Sequence, residues 1–144
     1  MSDPHGLQRF VEAQDRGGVY PRAVAELRAG RKTSHWMWFV FPQVAGLGRS
    51  AMAQEYAISS REEAEAYLRH PVLGPRLLEC AGLVADGAEA DPEAILGGTD
   101  AMKLRSSMTL FAHAAPDEPV FRRVLDRCFG GVPDPATQDR LRPR

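Results

Sequence analysis

Four large aromatic side chains lie within six residues of the chain: Trp36, Trp38, Phe39 and Phe41. Aromatic faces stack on flat ligands such as nucleobases, at about 1–3 kcal/mol per base. The same side chain types dominate protein cores, because each buries about 150–250 Å². The cluster is therefore either a pocket wall, in which Trp36 and Trp38 bind a ligand, or a core segment.

Polar side chains that could orient a ligand flank this aromatic cluster. His35 precedes it and Gln43 follows it. An imidazole exchanges protons near neutral pH, so His35 is the candidate catalytic acid or base. Gln43 would hold polar atoms of the ligand. The alternative for His35 is a structural histidine that packs against Trp36.

A glycine-rich turn follows, in which Gly46, Gly48, Arg49 and Ser50 are the candidate binding residues. Glycines let successive backbone N–H groups converge on an anion, and Arg49 would add a cation. The turn lacks the lysine of a P-loop and follows no strand of a βαβ unit. It also fits a plain tight turn in which Ser50 caps the next helix.

A third candidate element runs from position 100 to 109. On a helix, Lys103 and Ser107 lie one turn apart, so the ammonium could hold an anion beside the hydroxyl. A Ser–Lys pair can also act as nucleophile and base. The alternative interpretation is that these residues form a solvated face of the helix. Arg28, Arg31 and Lys32, which precede His35, could form one cationic mouth with Arg49 and Lys103.

Composition limits the class of protein. The 144 residues are 44% hydrophobic and 26% charged, with a formal net charge of −1, which is typical of one globular domain. A near-neutral chain makes nucleic acid an unlikely partner. No apolar run approaches about 20 residues, so no membrane span is expected. A small anionic ligand is compatible with basic and acidic residues that cluster in different stretches.

The cysteine and histidine spacings match no zinc pattern, so we predict neither a metal nor a cofactor. Cys80 and Cys128 are far apart in apolar, helix-like stretches, which favours free thiols in a reducing compartment. The first residues show no basic and apolar regions of a signal peptide. Together these features predict a cytoplasmic protein.

Helix signals are dense and the hydrophobic period is near 3.6 along most of the chain. Pro21 and Gly30 bracket one predicted helix, and Ser60 with Glu63 forms a capping box. Four aspartates are predicted N-caps: Asp91, Asp100, Asp117 and Asp134. Only the run from Trp36 to Phe41 is strand-like, and it has no clear partner. We therefore predict a single all-α domain of about six to eight short helices over residues 1–144, with a core from about 7 to 141.

Several motifs resemble those of an uncharacterised bacterial family, domain of unknown function 1810 (DUF1810). The matching stretches are residues 35–43 (His-Trp-Met-Trp-Phe-Val-Phe-Pro-Gln), 46–50 (Gly-Leu-Gly-Arg-Ser), 56–58, 63–64, 66–71, 73–74, 100–111 (Asp-Ala-Met-Lys-Leu-Arg-Ser-Ser-Met-Thr-Leu-Phe), 129–131, Asp134 and Thr137. The resemblance implies a compact all-helical domain and supplies no established activity. Some family members carry the label calpastatin, which this sequence does not support, because inhibitors of that type are long, disordered and repetitive.

The leading functional hypothesis is a pocket for a phosphate-bearing aromatic small molecule, such as a nucleotide or an ADP-ribose derivative. Within it the aromatic pair would wall the pocket, while Arg49 and Lys103 would hold the anion. Hydrolysis or transfer at a glycosidic or phosphoryl bond, with His35 as acid or base, is the enzymatic form, although no carboxylate pair stands out. The alternative is a non-catalytic helical module that recognises a protein partner.

Overall fold

The computed structural model describes residues 3–142, and the regular secondary structure in that range is helical. The helices are α1 (Gln8–Asp15), α2 (Val19–Ala29), α3 (Met37–Val40), α4 (Ala51–Glu55), α5 (Arg61–Arg69), α6 (Leu73–Asp86), α7 (Pro92–Leu96), α8 (Gly98–Ala114), α9 (Pro119–Phe129) and α10 (Pro135–Leu141). A 3-10 turn joins α1 to α2. The predicted all-α single domain is confirmed, and positions 1, 2, 143 and 144 of its predicted range lie outside the described residues.

Several helix ends fall where local chemistry places them. Gly30 ends α2 in the left-handed conformation, at φ 75°, which glycine adopts without a steric penalty. Ser60 accepts a hydrogen bond from the backbone N–H of Glu63 at the start of α5. Asp91 and Asp134 accept the same kind of bond at the starts of α7 and α10, each followed by a proline. These predicted caps are confirmed. The second half of the predicted capping box differs, because the Glu63 carboxylate accepts from the backbone N–H and the hydroxyl of Ser59, at 3.0 and 2.7 Å.

Two predicted caps are wrong by one to three positions. Asp100 lies in the first turn of α8, because that helix already begins at Gly98, directly after Gly97. Gly97 has φ 85°, and this left-handed conformation lets the chain turn sharply between α7 and α8. Asp117 does not cap α9, which begins at Pro119 after Glu118. Both errors come from an aspartate that lies near a helix start without being its cap.

The strand-like run is one turn of helix, not a strand. Val40 and Phe41 donate backbone hydrogen bonds to the carbonyl oxygens four residues earlier, at 3.1 and 3.0 Å. Within residues 3–142 the only β-type pairing is an isolated parallel bridge between Val44 and Ile58. A lone apolar segment has no ladder partner, so local helical bonds satisfy its backbone polar groups.

The longest helix, α8, lies at the centre of the fold and packs against α5, α7, α9 and α10. A row of aromatic rings crosses the core from α1 to α9. Phe10 contacts Tyr67 edge to face with ring centroids 5.2 Å apart, Tyr67 lies 5.4 Å from Phe111, and Phe111 lies 5.8 Å from Phe121. These four side chains are fully buried. The row joins four helices and holds α8 in a fixed orientation.

Asp134 fastens the last helix to α8. Its carboxylate oxygen Oδ2 accepts hydrogen bonds from the backbone N–H and the hydroxyl of Thr137, at 3.2 and 2.5 Å. The same oxygen lies 2.9 Å from the hydroxyl of Ser106 on α8. Its backbone N–H donates to the hydroxyl of Thr109 at 2.9 Å. One N-cap residue therefore also docks α10.

In the part of the chain that the structure describes, no helix is both long and apolar enough to cross a membrane.

Candidate functional site

Glu26 on α2 organises the entry to the aromatic segment. Its carboxylate accepts hydrogen bonds from the backbone N–H groups of Thr33 and Ser34, at 2.8 and 3.0 Å. It also accepts from the Ser34 hydroxyl at 2.6 Å and from the indole N–H of Trp36 at 2.9 Å. Only 8% of Glu26 is exposed. Four bonds to one carboxylate therefore hold residues 33–36 against α2.

This carboxylate is ionised at neutral pH. Partial burial on its own would raise the pKa of Glu26, but the hydrogen bonds from Ser34, Thr33 and Trp36 outweigh burial and lower the pKa to about 2. The segment predicted to contribute to the cationic mouth therefore also contacts a fixed negative charge, which would repel an anion placed against it.

The two tryptophans have different environments. Trp36 is fully buried, with its ring 6.3 Å from Phe41 and the ammonium of Lys32 5.3 Å from its ring centroid. A side chain without accessible surface offers no ring face to a ligand, so Trp36 belongs to the core. Trp38 is partly exposed. Of the predicted aromatic pair, Trp38 alone is available for stacking.

Two lysines and one aspartate connect Trp38 to α8. The ammonium of Lys103 lies 5.1 Å from the Trp38 ring centroid and 3.2 Å from Oδ1 of Asp100. The other oxygen of Asp100 lies 2.8 Å from the ammonium of Lys32. Burial raises the pKa of Asp100, and the two ammonium groups outweigh burial, so its pKa is lowered and it is charged at neutral pH. The trio carries one net positive charge.

Ser107 lies one helical turn beyond Lys103 and is fully buried. Its hydroxyl is the only buried polar side-chain atom of the described residues without a hydrogen-bond partner. Buried hydroxyls ordinarily form hydrogen bonds, because a buried hydroxyl without a hydrogen-bond partner destabilises a protein by about 1–3 kcal/mol. The adjacent helix positions of Lys103 and Ser107, predicted from sequence, are thus observed, and the hydroxyl is free to bond.

The glycine-rich turn has packing reasons for both of its glycines. Gly46 has φ 97°, and a Cβ there would overlap the guanidinium of Arg140, which donates to the Gly46 carbonyl at 3.3 Å. A Cβ at Gly48 would overlap the side chain of Ala53. Ser50 accepts from the Ala53 N–H at 3.1 Å and caps α4. These contacts fit the tight-turn interpretation, and the anion-binding role of the turn stays a prediction.

The remaining predicted residues are not joined to Lys103 by any hydrogen bond or ion pair in the range 3–142. His35 and Arg49 are exposed. The side chain of Gln43 is half-buried, and its backbone carbonyl accepts from the N–H of Ile58 at 2.9 Å. The structure therefore brings Trp38 and Lys103 together and places Ser107 one turn further along α8 in the core. The roles of His35, Gln43 and Arg49 stay predictions.

A cavity of about 370 Å³ lies among α5, α8, α9 and α10. Its polar lining includes Arg61, His113, Arg122 and Gln138, and none of these is among the residues predicted from sequence. They are separated by up to 77 positions, so no local motif reveals them. A patch of this kind becomes visible only after the helices have docked.

The family model described as protein of unknown function (DUF1810) matches residues 4–141. The chain belongs to the DUF1810 family. A solved structure, the crystal structure of the conserved hypothetical protein Rv1873 from Mycobacterium tuberculosis at 1.38 Å, is similar to this chain at 53% identity and a TM-score of 0.93. The match covers 96% of this chain and 98% of that chain. No curated protein shows a significant match.

These comparisons confirm the family resemblance. The solved structure shares its fold with almost the full length of this chain. Neither the family description nor the description of the solved structure names a ligand or a reaction. The functional proposal for this DUF1810 protein therefore depends on the geometry of its own side chains.

Proposed function

We propose that this protein binds a phosphate-bearing aromatic small molecule, such as a nucleotide or an ADP-ribose derivative, at the surface formed by Trp38 and Lys103. The observation that carries the proposal is the contact between Lys103 and Trp38. The ammonium of Lys103 lies 5.1 Å from the ring centroid of the partly exposed Trp38. Pockets for small molecules combine apolar walls with a few convergent polar groups of this kind.

Each of the three side chains has a distinct role in this proposal. The accessible part of the Trp38 ring stacks on the aromatic group of the ligand. Lys103 neutralises a phosphate oxygen, because Lys32 shares the carboxylate of Asp100 and leaves one positive charge in excess. Ser107 also belongs to the predicted binding set, and its hydroxyl would reach a ligand oxygen only if the side chains that cover it moved apart, because it has no accessible surface.

The finer, enzymatic form of the proposal is hydrolysis or transfer at a glycosidic or phosphoryl bond of this ligand. His35 is its acid or base, and its exposure leaves the imidazole accessible to a substrate. Gln43, Gly46, Gly48, Arg49 and Ser50 complete the predicted binding set. Ligand binding and catalysis are separable, so binding is tested first.

A panel of AMP, ADP, ADP-ribose and NAD tests the binding proposal by thermal shift and by tryptophan fluorescence. A bound ligand at 100 times its dissociation constant stabilises the fold by about 2.7 kcal/mol. Trp38→Phe should abolish the ligand-dependent change in fluorescence, because the remaining Trp36 is buried. Lys103→Gln should weaken binding about tenfold or more, as expected for loss of a charged hydrogen bond.

Arg69→Gln is the matched control for charge, since Arg69 is an exposed cation at the end of α5. It should leave binding unchanged. The proposal fails if no member of the panel shifts the melting temperature, or if Lys103→Gln and Arg69→Gln weaken binding equally.

A further inference from the structure

A cleft lies between the second half of α8 and the helices α5, α9 and α10. Its volume is about 370 Å³, within the range of about 300–1,000 Å³ typical of small-molecule sites. Thr109, Ala112 and Leu125 form part of its lining, and Pro116 and Pro133 bound it from two loops. Leu125 and Thr109 are buried, so the base of the cleft belongs to the core.

Three basic side chains lie around this apolar base. Arg61 begins α5, His113 lies near the end of α8, and Arg122 lies on α9. All three are exposed, and the residues that line the cleft include no carboxylate. Three separate elements thus place cationic or protonatable groups at one opening.

The two guanidinium groups have charge available for a ligand. Arg122 forms no ion pair within the described range. Arg61 pairs only with Glu65, one turn along its own helix, at 3.4 Å. Exposed ion pairs of this kind stabilise a protein by little, typically less than about 1 kcal/mol. The arginine can therefore readily exchange its carboxylate for a stronger partner.

The base of the cleft is already saturated in hydrogen bonds. The Thr109 hydroxyl donates to the Arg105 carbonyl at 2.8 Å and accepts from the Asp134 N–H at 2.9 Å. It therefore has no need of a ligand, and it holds the base in a fixed shape. Polar contacts with a ligand therefore come from the rim of the cleft, where the Gln138 amide lies among the three basic groups.

We propose that this cleft is an anion site for a small phosphomonoester. Guanidinium groups match the oxygens of a phosphate in a two-pronged geometry, so Arg61 and Arg122 bind the dianion. His113 and Gln138 donate further hydrogen bonds to it. The organic group of the ester rests on Ala112 and Leu125.

The neighbouring surface offers room for that organic group. A second cavity of about 250 Å³ shares His113 and Gln138 with the cleft and is also lined by Leu141 and Arg142. Leu141 packs against the core, so this extension has an apolar side. An ester with a ring therefore fits better than inorganic phosphate alone. None of these residues belongs to the Trp38 surface, so the cleft is independent of the function proposed above.

Titration with phenyl phosphate, followed by amide chemical shifts, tests the proposal on the full chain. Saturable shifts are expected at Thr109, Ala112, His113 and Leu125. Inorganic phosphate and phenol should each bind more weakly than phenyl phosphate, because each supplies only one half of the recognition. Arg122→Gln should weaken binding about tenfold or more, as expected for loss of a charge-assisted pair.

Arg123→Gln is the matched control. Arg123 is the next residue on α9, is equally exposed, and pairs with Asp86 rather than lining the cleft. It should change the affinity, as followed by the amide shifts of the cleft residues, less than twofold. His113→Ala supplies a second variant from a different helix, and it should also weaken binding.

Three outcomes would overturn the cleft site. The first is an absence of saturable binding at millimolar phenyl phosphate. The second is equal weakening by Arg122→Gln and Arg123→Gln, which would show a response to net charge alone. The third is a set of shifts that maps to other residues. Melting temperatures of the variants, which should match the parent protein because these side chains are exposed, identify any loss caused by misfolding.

Discussion

Ser106 and Ser107 are adjacent on α8 and have opposite hydrogen-bond environments. The Ser106 hydroxyl lies 3.1 Å from the carbonyl oxygen of Met102 and 2.9 Å from the carboxylate of Asp134. The Ser107 hydroxyl is buried and has no partner among residues 3–142. A stabilising serine and a destabilising one thus follow each other in the same helix, so alanine substitutions should separate them.

Ser107→Ala should raise the free energy of unfolding by up to about 1 kcal/mol, because it removes an unmet buried hydroxyl. Ser106→Ala should lower it by about 1 kcal/mol, because it leaves the Asp134 carboxylate with one partner fewer. Helix propensity changes equally in both variants and cancels in the comparison. Urea unfolding measures the difference, and equal destabilisation of the two variants would contradict it.

His70 shows how a single side chain can serve a helix other than its own. It is the C-cap residue of α5 and stands three positions before α6 begins at Leu73. In the structure its Nδ1 accepts hydrogen bonds from the backbone N–H groups of Val72 and Leu73, at 3.1 and 3.2 Å. The ring therefore caps the start of α6. A histidine between two helices can form hydrogen bonds with the backbone of either helix. The geometry of the turn determines which helix it caps.

At the scale of elements, the contact between α5 and α6 depends on a glycine. A Cβ at Gly74 would overlap the backbone carbonyl oxygen of Leu68. Gly82, two turns further along α6, has no atom of another element within 4 Å of the Cβ position. The two glycines are both helical, and only the first is required by helix packing.

Gly74→Ala should destabilise the protein by about 1–3 kcal/mol, the usual range for overpacking, because the clash is with backbone and cannot be relieved by a rotamer change. Gly82→Ala should stabilise it by about 0.5–1 kcal/mol, since alanine loses less entropy in a helix. Thermal unfolding of both variants checks the prediction. Destabilisation by Gly82→Ala as large as that by Gly74→Ala would refute the packing explanation.

At the scale of the whole molecule, Glu26 links stability to pH. Its pKa is lowered from an ordinary value of 4.5 to about 2, so the folded state favours the ionised form. The resulting stabilisation is complete above pH 4.5 and disappears as the pH falls towards 2. A shift of this size corresponds to about 3 kcal/mol. Asp100, whose pKa is also lowered, contributes in the same direction.

Urea unfolding at pH 7, 4 and 2.5 measures this linkage. The free energy of unfolding should fall with pH, and Glu26→Gln should both lower it at pH 7 and flatten its pH dependence. Glu12→Gln is the control, because Glu12 is an exposed residue of α1. If Glu26→Gln and Glu12→Gln retain the same pH dependence, another group controls acid stability.

Local sequence patterns predicted most of the helices and several of their ends. Capping at Gly30, Ser60, Asp91 and Asp134 depends on bonds within four residues, so the local sequence contains the required information. The nearby Asp100 and Asp117 were misassigned because several candidate caps stand close together before α8 and α9. The family motifs likewise depend on sequence alone, and the match over residues 4–141 confirms them.

The packing of the helices determines which of the predicted site residues are accessible. Trp36 and Trp38 are two residues apart around one helical turn, so their side chains point to nearly opposite sides. One had to enter the core, and Glu26 on α2 selected Trp36 by accepting its indole N–H. The cleft lined by Arg61 and Arg122 likewise exists only after four helices pack together. Contacts between distant positions depend on the packing of the whole core, which no short stretch of sequence encodes.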